Sequence, residues 1–388
     1  MAYSLDSILS LVPQGDSIDW SLFEKTELAG IFASMNKTPQ SKLYHGEGNV
    51  LIHTRLACEA LIRQNEYKLL SENNKAILFL ACLLHDIGKT KCTTLKDGDY
   101  TSPKHSIVGA NMARELLWRD FGLCGSYEKQ QMREGICQLI RYHSFPPFAI
   151  SDKNPEKRLL KIASNGELAR SFTIEGLCLL ERADVLGRIS KDRNDYLERI
   201  ELCAELAKEI GCFYGPYKFN DDYSKRAYFS NKTDWRDCEL YNSSWGKVII
   251  LSGLPGTGKD TFIKENYPNL PVISLDEIRA ELHILPTENQ GAVVARAHEL
   301  AREYLRKKQE FIWNATSISS LIRNSQISLF EEYGAGVEIV FLETEFEENL
   351  ARNASRVSAV SRSVIENMLS RLEPPERFEA EKIKWLTI

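Results

Sequence analysis

The feature that most constrains this chain is the run Val248-Ile249-Ile250-Leu251-Ser252-Gly253-Leu254-Pro255-Gly256-Thr257-Gly258-Lys259-Asp260-Thr261. An apolar stretch of strand length leads into Gly, four residues, Gly and Lys, the frame of a loop that cradles phosphates. Glycines let successive backbone N–H groups turn inward around an anion. The helix expected to start near Lys259 adds the positive end of its dipole. Gly253, Pro255, Gly256, Thr257 and Gly258 are therefore candidate nucleotide-binding residues, and Lys259 would reach the β- and γ-phosphates. The position after the lysine usually carries Ser or Thr. Here it is Asp260, followed by Thr261, and either side chain can hold the Mg²⁺ that accompanies a nucleoside triphosphate.

The chain beyond Gly246 supports that reading. Apolar segments at 247–252, 271–275, 310–315 and 337–342 alternate with helical patterns at 259–266, 276–282, 293–308 and 320–333. Such alternation predicts an α/β domain with a parallel sheet, its ligand at the carboxyl ends of the strands. Asp276 and Arg279 come after the second strand, three residues apart and so on one helix face. Asp276 could accept a proton from an alcohol, and Arg279 could bind a phosphate on that alcohol's own chain. The segment from Phe346 to Arg356 puts Arg352 and Arg356 on one helix face. It reads as a helical lid bringing cations to a transferring phosphoryl group, or as an exposed helix in which Glu348 pairs with Arg352.

The chain has 388 residues, which suggests roughly two to three domains. Residues 1–211 form a candidate helical domain, 212–246 an aromatic-rich connector and 247–388 the α/β domain. In the first of these, 76–84 is apolar nearly all round and predicts a central buried helix; 107–118, 133–143, 173–186 and 192–210 continue the helical series. The connector has too many aromatic residues for a flexible tether. The formal net charge is −5, so a nucleic acid would be held by local basic clusters, not by a broadly basic surface. Nine cysteines show no CxxC spacing and read as reduced thiols. The first thirty residues carry acids and no continuous apolar stretch, which argues against a signal peptide, and no run is long enough to cross a bilayer. The expected location is cytoplasmic, with no membrane partner.

Five of the seven histidines are spread through the helical half as His45, His53, His85, His105 and His143. His85 and Asp86 are adjacent at the end of the buried apolar helix, where a His–Asp pair is costly unless compensated. Asp184 comes later. Imidazole and carboxylate together suit a divalent transition metal, Mn, Fe, Co, Ni or Zn, better than Ca.

The ordered set His53, His85-Asp86, His105, His143, Asp184 resembles that of the HD superfamily of metal-dependent phosphohydrolases, over residues 44–190. The resemblance implies an all-helical fold and two divalent metal ions. His53, His85, Asp86 and Asp184 would hold one, and Asp86, His105 and His143 the other. It also implies that Lys89 and Arg188 offset charge on phosphoryl oxygens while a metal-activated water attacks phosphorus. The stretch Tyr44-His45-Gly46-Glu47-Gly48-Asn49-Val50-Leu51-Ile52-His53-Thr54 resembles the start of the HD domain of bacterial tRNA nucleotidyltransferases. That likeness implies action on 2′,3′-cyclic phosphates, 2′-phosphates and small phosphomonoesters, with His45 and Glu47 beside the metals and His45 as a proton donor to the leaving oxygen.

From Lys247 to about Pro375 the chain resembles the 5′-hydroxyl polynucleotide kinases and, more broadly, adenylate-kinase-like phosphotransferases. The likeness rests on the phosphate loop, Asp276-x-x-Arg279, Asn314-Ala-Thr316 with Arg323, and Arg352 with Arg356. It implies Asp276 as general base, Arg279 and Arg323 on the polynucleotide, and Arg352 on the donor. Asp260 and Asn314 depart from the usual loop and third strand. Taken together, the halves resemble the bacterial HD-domain polynucleotide kinases. These are bifunctional end-healing enzymes that use an NTP with Mg²⁺, act on RNA or DNA ends and leave ends for a downstream ligase. The rival readings are an HD nucleotidase fused to a nucleoside or metabolite kinase, and an HD phosphohydrolase gated by nucleotide.

Overall fold

The computed structural model describes residues 8–26, 28–285, 288–356 and 359–388. The chain divides into two compact units, residues 1–217 and 218–388. The first is a helical domain and the second an α/β domain built on a five-stranded parallel sheet. No helix among the described residues is long and apolar enough to cross a membrane.

In the helical unit the centre is the helix Glu72–Leu84, capped by Ser71, in which every residue from Ala76 to Leu84 is buried. Burial of a Leu, Ile or Phe side chain contributes about 1.5–3 kcal/mol, so this segment is the main apolar anchor of the domain. Val50–Arg63, Tyr127–Tyr142 and Ile174–Gly187 pack around it, His105–Glu115 packs on Tyr127–Tyr142, and Arg193–Glu209 packs on Ile174–Gly187. Asn49 caps the first of these by accepting from Ile52 N at 3.0 Å. The expected all-helical fold carries one addition, a hairpin of β1 (Thr94–Lys96) and β2 (Asp99–Thr101). Its two-residue turn is Asp97-Gly98, both at positive φ, a favoured hairpin connection.

The sheet of the second unit has the order β4 (Val272–Ser274), β5 (Phe311–Asn314), β3 (Lys247–Ser252), β6 (Gly336–Glu343), β7 (Lys382–Thr387), parallel throughout. Four of these match the expected strands to within about two residues, and β7 was not foreseen. Ile249, Leu251, Ile312, Val340 and Leu342 form a core cluster with Ile263 of the helix after the glycine loop. Register matters for function. Leu251 and Ser274 both align with Asn314, so the ends of β3, β4 and β5 are level. The glycine loop, Asn314 and the helix Leu275–Glu281 therefore emerge at one edge of the sheet.

The stretch 212–246, expected as a single connector, divides at the unit boundary. Residues 218–246 fold onto the sheet domain. Asp221 caps the helix Asp222–Phe229, Arg226 donates to Glu331 at 2.7 Å and to Phe378 O at 2.9 Å, and Trp245 Nε1 donates to Tyr333 O at 2.8 Å.

Candidate functional site

In the helical unit four histidines present their rings in the same sense. The Nδ1 atoms of His85, His105 and His143 face the backbone carbonyls of Cys82, Ser102 and Ile140 at 2.7, 2.9 and 2.7 Å. His53 Nδ1 lies 3.0 Å from Glu47 Oε1. Only a protonated Nδ1 can bond to a carbonyl oxygen, so in the neutral rings Nε2 carries the lone pair; at His85 burial opposes a second proton, but Asp86 and Asp184 outweigh it and raise the ring's pKa well above its ordinary value. Those Nε2 atoms converge on two carboxylates. His53 Nε2 is 2.7 Å from Asp184 and 3.6 Å from Asp86, His85 Nε2 is 3.3 Å from Asp86, and His105 Nε2 is 3.5 Å from Asp86.

Two close helix approaches make this convergence possible. A Cβ on Gly88 would stand 2.1 Å from His105 O, and one on Gly187 would stand 2.6 Å from Ala57 N. Glycine at these points lets the His105 helix close on Asp86 and the Asp184 helix close on His53.

The donor set fits divalent cations. Asp86 Oδ1 and His85 Nε2 are buried without a hydrogen-bond partner, while Asp86 Oδ2 meets the Lys89 ammonium at 2.7 Å, and a cation would relieve the unpartnered atoms. Among the described residues three groups have ligand atoms close enough to share an ion; one is His45, Glu47 and His53, and the two made of expected ligands alone are His53, His85 and Asp86, and Asp86, His105 and His143. Asp184, at 2.7 Å from His53, lies next to the first of these two. All six expected ligands are thus brought together, with Asp86 common to both groups.

The surroundings set the charges. Burial acts to raise the Asp86 pKa, but Lys89, 2.7 Å away, and the imidazoles outweigh it and hold the carboxyl well below its ordinary range. Burial likewise opposes ionisation of Asp184, and Arg188, which is ion-paired with it, prevails. Lys89 also donates to Gln40 at 2.8 Å. His45 donates its Nδ1 hydrogen to Glu47 at 2.8 Å, and burial lowers its pKa to about 4. It is therefore neutral at pH 7, with its ring hydrogen on Nδ1 and its Nε2 lone pair left to accept. Sequence reasoning passed over Glu181, whose buried carboxyl is pushed well above its usual range by desolvation and by Asp184. It placed Glu47 beside the metals but without partners. Glu47 lies two residues from His45, and only the fold reveals that it also reaches His53.

In the second unit the glycine loop comes directly after β3, with Gly258 at φ 76° before the helix Lys259–Asn266. Lys259 Nζ donates to Gly253 O at 3.0 Å and Leu254 O at 2.8 Å. Burial lowers its pKa to about 8. Thr257 is buried and Thr261 exposed. Asp260 accepts from Asn314 Nδ2 at 2.8 Å, so the two departures from the usual pattern are partners. Asp276 is half exposed and sits between two guanidinium groups. Arg279 donates to its Oδ1, and Arg356 Nη2 lies 3.0 Å from its Oδ2. Arg356 also stands 3.9 Å from Asp260, which links Asp276 to the loop.

The helix Phe346–Ala354 packs on that loop, with Asn349 Nδ2 donating to Pro255 O at 2.7 Å. Arg352 pairs with Glu348, and its Nη1 lies 3.6 Å from where a Cβ on Gly258 would be. It therefore takes part in the surface pair while standing over the loop. Arg323 is different. It is fully buried, with two bonds to Glu379 at 2.7 and 2.8 Å and others to the carbonyls of Ser317 and Glu373. A guanidinium so enclosed cannot bind a polynucleotide, and the substrate role expected of Arg323 is corrected to a structural one.

Residues 49–169 match the HD domain family model and residues 248–375 an AAA domain model. The HD match takes in His53, His85, Asp86, His105 and His143 and stops before Asp184. The two matches show an HD domain and a P-loop kinase-like domain fused in one chain. Over 136 residues the chain is 25% identical to the L-seryl-tRNA(Sec) kinase of Methanococcus maripaludis, a stretch covering 33% of this chain and 53% of that protein. The chain thus spans about half the length of this curated relative. A solved structure of a kinase candidate from Chloroflexus aurantiacus is 18% identical, with a TM-score of 0.32, covering 37% of this chain and 86% of that one.

Proposed function

We propose that this chain is a bifunctional nucleic-acid end-healing enzyme. Its α/β domain transfers the γ-phosphate of an NTP to a 5′-hydroxyl end, and its helical domain removes 2′,3′-cyclic, 2′- or 3′-phosphates. The observation that carries the reading is Asp276, held between Arg279 and Arg356 at the sheet edge that bears the glycine loop. A carboxylate in that place serves an acceptor alcohol, and a nucleotide sensor has no need of one.

In the transfer, Asp276 takes the proton of the acceptor hydroxyl as the hydroxyl oxygen bonds to the γ-phosphorus, the bond from that phosphorus to the β–γ bridging oxygen breaks, and NDP leaves. Arg279 binds a phosphate of the acceptor strand. Lys259 leaves the carbonyls of Gly253 and Leu254 for the β- and γ-phosphates, and Arg352 supports the charge on the phosphoryl group in flight. Asp260 or Thr261 would hold the Mg²⁺ of the NTP, which would offset the charge of its phosphates. In the helical domain the histidine–aspartate set would hold two divalent cations, which supply Lewis acidity and a nucleophilic water. Lys89 and Arg188 orient the phosphate and offset its charge, and neutral His45, its Nδ1 hydrogen given to Glu47, accepts a hydrogen bond at Nε2 from a substrate hydroxyl.

A second reading has specific support in the likeness to a seryl-tRNA kinase: the acceptor alcohol is carried on an RNA and is not its 5′ end. One experiment separates these readings and that of a nucleoside kinase. An RNA with a 5′-hydroxyl and a 2′,3′-cyclic phosphate is incubated with labelled NTP and divalent metals, beside seryl-tRNA and free nucleosides. End healing yields a labelled 5′-phosphate and a 3′-hydroxyl, the ends a ligase joins. Label only in seryl-tRNA or nucleosides overturns the main reading.

A further inference from the structure

The histidine–aspartate site opens into a cleft of about 260 Å³. Its floor is polar: His45, Asp86, Lys89, His105, His143, Asp184 and Arg188. Its rim is not. Tyr44, Tyr100, Phe148 and Tyr196 line the mouth, and three of them stay well exposed, at 46%, 37% and 48% for Tyr44, Tyr100 and Phe148. Phosphate hydrolysis on the floor makes no use of these rings.

We infer that the rim is a nucleobase subsite. Phe148 and Tyr196 are the anchors, so the helical domain selects a nucleotide end and not any small phosphomonoester. This rests on the phosphoesterase reading of the floor. The rings of Phe148 and Tyr196 lie 5.9 Å apart at 87°. Two perpendicular rings form a corner in which one flat base meets one ring face to face and the other edge to face, both favoured aromatic geometries. The Arg188 guanidinium lies 5.8 Å from the Tyr196 ring centre and is also paired with Asp184. One side chain thus joins the ring corner to the reacting centre. The cleft is smaller than the roughly 300–1,000 Å³ of pockets that enclose a whole drug-sized ligand. A phosphate and its sugar fill it, and the base then lies across the rim. Recognition by stacking tolerates any base, as clearing unrelated broken ends requires.

The test uses the full chain carrying Lys259→Ala, which silences the other phosphate site. Two RNAs with the same 2′,3′-cyclic phosphate are compared, one with its terminal base and one with an abasic terminal ribose. The parent should show the lower KM for the base-bearing end. Phe148→Ala should raise that KM by about tenfold, within the range of a lost stacking partner, leaving kcat and the abasic substrate unchanged, and Tyr196→Ala, whose ring also meets Arg188, should raise the KM of the base-bearing end more than that of the abasic one. Equal KM values for the two ends, or equal losses on both, would overturn the subsite. Calorimetric binding of adenosine 3′-phosphate against ribose 3-phosphate needs no turnover. A base preference that Phe148→Ala removes supports the subsite even where no ester is cleaved, and equal affinities reject it even where hydrolysis is brisk.

Discussion

His105 Nε2 and His143 Nε2 face each other at 3.3 Å while both Nδ1 atoms are engaged by carbonyl oxygens. Two lone pairs in that position repel, and burial lowers the pKa of both rings, that of His143 to about 3, so no proton relieves them at neutral pH. A divalent cation does. Chelation should lower the melting temperature, and restoring the metal at about a hundred times its Kd should return about 2.7 kcal/mol, a shift of about 5 °C or more for a unit of this size. His143→Ala should remove most of that shift. A melting curve indifferent to chelator and metal would refute the two-cation assignment.

Glu47 is a positioning residue for this centre. One oxygen lies 2.8 Å from His45 Nδ1 and 3.0 Å from His53 Nδ1, and the other accepts from Ile189 N at 2.9 Å. Burial opposes its charge, but the two imidazoles and the backbone donor keep it ionised. The carboxylate fixes the His53 tautomer and makes Nε2 a better ligand. Loss of such an outer partner typically costs about 10–100-fold in metal affinity. Glu47→Gln keeps the shape and removes the charge, so competition with a chelating dye should show a drop of that order. Unchanged affinity would leave Glu47 as a loop residue only.

How far the sequence reaches differs between the halves. The glycine loop and the histidine order were legible because each is a local pattern with one chemical use. The burial of 76–84 came from its lack of any polar face. The hairpin at Asp97-Gly98 carries a standard turn signal, but β1 and β2 are three residues each, too short to show alternation. β7 was hidden because residues 382–387 take their place only through pairing with distant β6. Arg323 misled for a related reason. An arginine beside a phosphate site and one buried on Glu379 look identical until the partner, 56 residues away, is placed.

Lys259 should give the kinase half a distinct pH signature. Burial lowers its pKa from 10.5 to about 8, so the amine is half neutral near pH 8. A polyphosphate favours the charged form and draws the pKa up again. Nucleotide binding should therefore take up a proton at about pH 8.5, little at pH 7, and affinity should weaken as pH rises past 8. For folding the sign is the opposite. A lysine with a depressed folded pKa destabilises the fold while charged, and that penalty fades between about pH 8 and 10.5. Calorimetry in buffers of differing ionisation enthalpy reads the uptake directly. Lys259→Arg should abolish it, and uptake equal at both pH values would show that another group is responsible.

Arg323 separates a structural from a functional arginine. It fills the space beneath Ser317 and Glu373 and neutralises Glu379, whose carboxylate also accepts from Glu376 N at 2.9 Å. Removing one partner of such a buried pair leaves an uncompensated charge and costs about 3–5 kcal/mol. Arg323→Ala should therefore lower the melting temperature of the α/β domain by many degrees. Any protein still folded at low temperature should keep its KM for both phosphate donor and acceptor. Arg323→Ala combined with Glu379→Leu removes both charges and should recover much of the stability, which no polynucleotide-binding role would explain. A raised acceptor KM with an unchanged melting curve would restore Arg323 to the substrate side.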